Sequence, residues 1–238
     1  FSLLLQRYGS AAAALRAVPD LAKRGGRTLK PAARSEAEAE LEANEAVGAR
    51  LLFKGGDDYP DRLAQFDDAP AVLSTRGAVH LLNRPCVGIV GARNASINAQ
   101  RLAQSLADEL AAEGHVVVSG LARGIDAAAH NGALAGGTIA VIAGRIDIRY
   151  PPQNAELQEA IGETGLVIAE MPPDTQPTPR HFPIRNRIIG SLALGTVVVE
   201  AAERSGSLIT ARETAERGGE VMAVPGSPLD PRSAGCNH

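Results

Sequence analysis

The sequence predicts an α/β protein, a doubly wound and mostly parallel sheet preceded by a small, mainly helical region. Three observations predict it. After Pro85 the chain carries six short, continuous apolar runs of strand length. Most are separated by stretches with helical periodicity. The runs are apolar throughout rather than alternating, which marks strands covered on both faces.

The first region is expected over residues 1–80. Leu3-Leu4-Leu5 begins a short helix that Gly9-Ser10 ends. Ala11 to Val18 reads as a second helix, halted by Pro19. Lys23 to Lys30 reads as loop. Ser35 with Glu38 three residues on matches a capping box, opening a helix through Leu41 to Val47 that Gly48 stops. Arg50 to Phe53 reads as a strand, Tyr59 to Pro70 as a connector and Ala71 to Leu73 as a short strand. No chemical motif stands out here.

The second region, 81–238, holds the sheet. Val87 to Val90 is the first strand, followed by Gly91-Ala92-Arg93-Asn94-Ala95-Ser96. Leu102, Leu106 and Leu110 place a helix at four-residue spacing, closed by Gly114. Val116 to Val118 is the second strand, followed by Ser119-Gly120-Leu121-Ala122-Arg123-Gly124 and a helix from Asp126. Thr138 to Ala143, Leu166 to Ala169, Thr196 to Val199 and Val221 to Val224 complete the set. A helix over Leu208 to Arg217 is capped by Gly218.

Composition bounds the function classes. The chain has 238 residues, is 45% hydrophobic and 21% charged, and carries a net charge of −3. That balance opposes a generally basic nucleic-acid coat. No apolar run reaches membrane-spanning length, and no signal-peptide pattern opens the chain. Phe1 at the start and Gly235-Cys236-Asn237-His238 at the end do not read as natural termini. Cys86 and Cys236 match no zinc or redox spacing, which suits a reducing cytosol. Beyond Lys54 every basic residue apart from histidine is arginine, the side chain suited to bidentate phosphate contact.

In doubly wound sheets ligands sit at the carboxyl ends of the strands. The loops there are Gly91–Ser96, Ser119–Asp126, Gly144–Asn154, Glu170–Arg187, Glu200–Ser207 and Pro225–Ser227. They hold Arg93, Arg123, Arg145, Arg149, Arg180, Arg185, Arg187 and Arg204, with Asp126, Asp147, Glu170 and Glu200 among them. The first turn lacks the G-x-G-x-x-G fingerprint, which argues against NAD. The sheet region has no lysine, which excludes a P-loop. No nucleophile elbow appears, and the five histidines show no metal spacing.

What remains is glycine, small hydroxyls and arginine. His181-Phe182-Pro183-Ile184-Arg185-Asn186-Arg187 reads as a helix start, with Pro183 at the first helical position. Ile184, Ile188 and Leu192 are expected on its buried face. Two arginines in a first turn oppose the helix dipole, so they mark either an anion-binding surface or pairing with nearby carboxylates. Phe182 suits base stacking or a hydrophobic staple at the helix entry. Phe182 and Tyr150 are the only large aromatics after residue 66; Tyr150-Pro151-Pro152 equally reads as a rigid turn. Ser96, Ser119, Ser205 and Ser207 suit phosphate contact or simple helix capping. Asp126 and His130, four apart, suit a helix-supporting pair or a dyad.

Several segments together resemble the DNA-processing protein A family (DprA/Smf), bacterial proteins of natural transformation and recombination. They are Val87–Arg93, Ser119–Asp126, Tyr150–Asn154, Phe182–Ile189, Glu200-Ala201, Ser205–Ala211 and Ala223–Gly226. The Leu-Leu-x-x-Tyr-Gly start resembles the family's small N-terminal domain more weakly. The resemblance implies an extended Rossmann fold that binds single-stranded DNA, forms a homodimer and loads the RecA recombinase in place of single-strand-binding protein, without cofactor or catalysis. By motif position, the DNA contacts are Gly91, Arg93, Ser96, Ser119, Gly120, Arg123, Gly124, Phe182, Arg185, Asn186, Arg187, Ser205 and Ser207. Two departures are the residues around Arg145, where the family usually has glycine, and the lack of a C-terminal winged-helix segment after Gly235-Cys236-Asn237. The alternative function is a nucleotide-binding enzyme of the phosphoribohydrolase type, with Asp126 or Glu200 acting on a glycosidic bond; the glycine-rich loop of those enzymes is missing.

Overall fold

The computed structural model describes residues 2–172 and 175–238. Pro173 and Asp174, within the loop that follows Ala169, and Phe1 lie outside the described residues. In chain order the elements are α1 (Ser2–Tyr8), α2 (Ala11–Arg24), α3 (Arg34–Glu45), β1 (Arg50–Phe53), α4 (Asp61–Ala64), β2 (Val72–Gly77) and β3 (Cys86–Gly91). Then come α5 (Ile97–Ala112), β4 (Val116–Ser119), α6 (Ile125–Ala133), β5 (Thr138–Ile142), α7 (Ala155–Thr164) and β6 (Leu166–Ala169). Finally α8 (His181–Leu192), β7 (Gly195–Val199), α9 (Gly206–Glu216), β8 (Glu220–Val224) and α10 (Ala234–Asn237) close the chain.

Eight strands form one sheet in the order β1-β2-β6-β5-β4-β3-β7-β8. The six strands from β6 to β8 are mutually parallel, as their apolar runs predict. β1 pairs antiparallel with β2, and β2 antiparallel with β6. Strands expected in the first region thus extend the main sheet, and Thr75 pairs with Ile168 across that join. Successive strands run one way from β3 through β4, β5 and β6, and the other way through β7 and β8. The topological switch therefore lies at β3 and β7, and their carboxyl ends open a crevice there.

The core lies on both faces of the sheet. One face packs Leu63, Leu73, Val118, Ile139 and Ile168 against Ile188, Ile189 and Leu192 of α8. The other packs Ile89, Val117, Val197 and Val199 against α5 and α6. On α5 the buried residues are Ala103, Ala107 and Ala111, whereas Leu102 is exposed and Leu106 and Leu110 are half-buried. The reason is the close approach of α6: Gly132 sits so near Gln104 and Ala107 that a β-carbon there would overlap the Gln104 carbonyl. Only alanine fits between helices at that distance.

Other local expectations shift. α2 runs through Pro19 to Arg24. Proline forfeits one backbone hydrogen bond, but Ala14 and Ala22, buried on either side of it, hold one face of the helix in place. The capping interaction of α3 is made two residues earlier, with Glu36 accepting from the Ala33 N–H at 2.7 Å, while Glu38 pairs with Arg34. The connector contains α4, which buries Leu63 completely. In α8, Pro183 occupies the third helical position, and Ile184 is exposed while Arg185 takes the buried face ahead of Ile188, Ile189 and Leu192.

Candidate nucleic-acid interface

The strand ends at the switch point are shaped by close backbone packing. Gly91 closes β3 so tightly that a β-carbon would overlap the Val199 carbonyl and Ile125. Gly124, at φ +75°, starts α6 and packs on the carbonyls of Ala92 and Arg93, so the turns after β3 and β4 hold one another. Two non-glycine residues adopt left-handed backbone at the same mouth, Leu121 (φ 56°) after β4 and Glu200 (φ 54°) after β7. Such conformations cluster at binding sites because surrounding contacts must enforce them. Here the Leu121 carbonyl accepts from Asn154 Nδ2 at 2.9 Å. The Glu200 carboxylate accepts from the Ser96 N–H at 2.9 Å and the Ser96 hydroxyl at 2.6 Å.

Two neighbouring cavities open here, of about 270 Å³ and 300 Å³. The first is lined by Gly120, Arg123, Gly144, Tyr150 and Gln153 among others, the second by Gly91, Asp126, Asn186, Ser205 and Ser207 among others. Arg93, Ala122, Phe182 and Arg185 line both and so form the partition between them. The Arg93 guanidinium carbon lies 4.9 Å from the Phe182 ring centroid, a cation–π pair that fixes both side chains. Tyr150 stands opposite, its ring centroid 5.9 Å from that of Phe182 and tilted by 43°. The mouth thus presents two aromatic rings and three arginines to an incoming chain.

Arg185 is the deepest of the charged groups. It is only 5% exposed, and its Nε has no hydrogen-bond partner among the described residues. Gly120 makes its position available, because a β-carbon there would overlap the guanidinium. Burial pulls Arg185 down to about 10, opposed by the nearby Asp126 carboxylate and reinforced by Arg93. It stays a cation in neutral solution. Asp126 is also buried; burial pushes its carboxyl up, against the pull of Arg185, the Ala122 N–H and Arg93. A buried guanidinium short of hydrogen-bond acceptors, facing a cavity, is built to receive an anion.

The structure brings together Gly91, Arg93, Gly120, Arg123, Phe182, Arg185, Asn186, Ser205 and Ser207. Asn186 donates to the Gly206 carbonyl at 3.2 Å and so ties α8 to the start of α9. Ser205 and Ser207 lie with their hydroxyls 2.5 Å apart at that helix start. Four other residues are placed differently. Arg187 turns out of the cavities and pairs with Glu170 at 2.5 Å, also donating to the Asp68 carbonyl. Ser96 caps α5 and is occupied by Glu200. Ser119 is fully buried and donates to the Ile89 carbonyl at 2.6 Å. Gly124 shapes the turn and lines neither cavity. Ala122 and Gln153 join the lining from the family-matching segments Ser119–Asp126 and Tyr150–Asn154, although neither was singled out as a contact. Gly144 itself lines the first cavity, and Arg145 pairs with Asp147 at 2.5 Å. Among the described residues no cluster of His, Cys, Asp or Glu could hold a metal ion. Among the described residues no helix is long and apolar enough to cross a membrane.

Comparison with known proteins gives one consistent answer. The family model described as DNA recombination-mediator protein A matches residues 50–238, and the DprA-like N-terminal HHH domain matches residues 1–43. The chain is 47% identical over 188 residues to DNA processing protein DprA of Streptococcus pneumoniae, covering 76% of this chain and 65% of that protein. It is 43% identical over 198 residues to the Bacillus subtilis DprA, covering 82% and 67%. The chain therefore spans roughly two thirds of these relatives, and 55% of the Escherichia coli protein Smf, to which it is 38% identical over 205 residues with 85% of this chain covered. Among solved structures, the S. pneumoniae DprA superposes with a TM-score of 0.80 at 42% identity, covering 87% of this chain and 72% of that one. A Helicobacter pylori DNA processing protein A, studied for its single-stranded DNA binding mode, superposes with a TM-score of 0.73 at 30% identity, covering 79% and 85%.

Proposed function

The chain belongs to the DNA recombination-mediator protein A family, and from that premise we propose that it captures single-stranded DNA at the mouth formed by Arg93, Phe182 and Arg185. Phosphates lie against the Arg93 and Arg185 guanidiniums and the amide-bearing starts of α8 and α9. A base stacks on Phe182, with Tyr150 across the opening. Stacking contributes about 1–3 kcal/mol per base and tolerates any sequence. Duplex DNA hides those base faces, which accounts for a single-strand preference. The observation that carries the reading is Arg185, a buried cation lining both cavities with an unsatisfied Nε.

The wider role follows the family. Held strands are protected and passed to the RecA recombinase during natural transformation, in a homodimer whose two mouths share one strand and gain avidity. The similarity to the S. pneumoniae and B. subtilis DNA processing proteins supports this. The protein acts in the cytoplasm and without cofactor or catalysis. A nucleotide-cleaving enzyme has less support, because both Glu200 oxygens are held by Ser96.

Fluorescence anisotropy tests the reading. Single-stranded oligonucleotides should bind more tightly than duplex, weaken with salt and resist competition by a mononucleotide. Full competition or turnover of the mononucleotide would favour the enzyme instead. RecA assembly on strands coated with single-strand-binding protein, with and without this chain, tests the mediator role.

A further inference from the structure

The chain's charge is divided very unevenly. Residues 1–33 carry six cations, Arg7, Arg16, Lys23, Arg24, Arg27 and Lys30, against the single anion Asp20, a net +5. The whole chain is −3, so residues 34–238 sum to −8. All six cations are exposed. Among the described residues, none of the six is paired with a carboxylate, whereas Arg34, Arg50, Arg76, Arg149, Arg187, Arg217 and Arg232 all are. Capping of the α2 dipole accounts for Lys23 and Arg24 in its last turn. It does not account for Arg16, Arg27 or Lys30.

The cations are also ordered in space. On α2, Arg16, Lys23 and Arg24 fall on one side of the helix with Asp20, the region's one anion, among them, while Ala14, Val18 and Ala22 fall on the other. Ala14 and Ala22 are buried at 6% and 8% exposure and Val18 is half-buried, while Leu15 on the same side is exposed. Arg16 and Lys23 are two turns apart, roughly 10 Å, and long flexible side chains at that spacing reach nearby phosphates of one strand. Arg27 and Lys30 continue the charge into the loop after the Gly25-Gly26 turn, where Gly26 has φ +69°.

We propose that this face of α2, continued by Arg27 and Lys30, is a second nucleic-acid contact that holds the phosphate backbone without reading bases. Its chemistry is a line of unpaired point charges. The region's one aromatic side chain among the described residues, Tyr8, is engaged with Arg7 at 5.6 Å from ring centroid to guanidinium carbon. An anionic membrane is the competing partner for a basic amphipathic helix. Such a helix needs a broad free apolar face to insert, and on α2 Ala14 and Ala22 are buried and Val18 and Leu21 half-buried, leaving Leu15 as the large apolar side chain exposed there. The contact stands independently of the mouth at Arg93, Phe182 and Arg185, and adds to the hold on a strand long enough to reach both.

The test compares short and long oligothymidylates across a salt series, using the full chain. One variant combines Arg16→Gln, Lys23→Gln, Arg24→Gln, Arg27→Gln and Lys30→Gln. A second keeps the charge through Arg16→Lys, Arg24→Lys and Arg27→Lys. The neutralised chain should bind the short strand as before and lose affinity for the long one. Its log–log salt slope on the long strand should fall by up to about 3.5, at ~0.7 per single-strand phosphate contact. The lysine variant should bind both strands like the parent. A third variant, Phe182→Ala with Arg185→Ala, should lose the short strand yet keep salt-sensitive binding of the long one, which separates this proposal from that for the mouth. Equal long-strand affinity and slope in parent and neutralised chain would overturn it. So would phosphatidylglycerol vesicle binding that is lost on neutralisation while long-strand binding is kept.

Discussion

Gly120 and Arg185 are complementary in shape: the missing side chain of one is the space filled by the guanidinium of the other. Gly120 ends the approach from β4 and Arg185 comes from the first turns of α8, sixty-five positions on in the chain. Their contact sets the floor of the mouth. Replacing Gly120 by alanine should therefore act as a binding mutation through Arg185. Gly120→Ala should expel the guanidinium and lower single-strand affinity to nearly that of Arg185→Ala, read by anisotropy. An alanine variant with parental affinity would show that Arg185 is not the anchor.

Phe182→Ala should remove the stacking platform and the partner of Arg93 together. Single-strand affinity should fall by about 1–3 kcal/mol, the worth of one stacked base. Phe182→Trp should retain most of the binding. Thermal unfolding should barely move for either, since Phe182 is only half-buried.

Arg185 and Arg187 should separate cleanly. Arg187→Ala should leave DNA affinity near the parent's and lower stability by about 1.5–3 kcal/mol, the worth of hydrogen bonds to charged groups. It would strand Glu170, whose Oε2 already lacks a partner and whose carboxyl is pushed up by burial. Denaturant melts and anisotropy on the same samples would show the division.

His130 gives the fold a pH dependence. It is fully buried with Nδ1 2.7 Å from Thr138 Oγ1, and burial with the Arg185 charge pushes the imidazole down to about 3. Between pH 6.5 and about 3 the unfolded chain therefore binds a proton that the folded chain refuses. Stability should fall as pH drops through that window. His130→Gln should flatten the slope there, measured by urea unfolding at stepped pH.

The parallel sheet was legible because its inner strands are buried on both faces and so written as unbroken apolar runs, whereas β8 at the edge keeps such a run although Val221 and Met222 are exposed. β1 and β2 were harder, since joining a sheet edge antiparallel is decided by partners distant in sequence, such as Thr75 with Ile168. Leu102, Leu106 and Leu110 misled because helix-to-helix distance, not hydrophobicity, chose Ala103, Ala107 and Ala111. In the site, motif and loop position pointed to Arg93, Phe182 and Arg185 alike. Nothing in the spacing told Arg185 from Arg187, because two residues of helix turn one guanidinium into the cavity and the other toward Glu170. The roles of Ser96 and Ser119 were likewise settled by tertiary neighbours, Glu200 and Ile89.

The most direct measurement is photocrosslinking of a bromouracil-substituted single strand to the full chain, with adducts mapped by peptide mass. The account predicts adducts at Phe182 or Tyr150, abolished by Arg185→Ala with the fold intact. Adducts confined to other parts of the chain, with none at either ring, would contradict it.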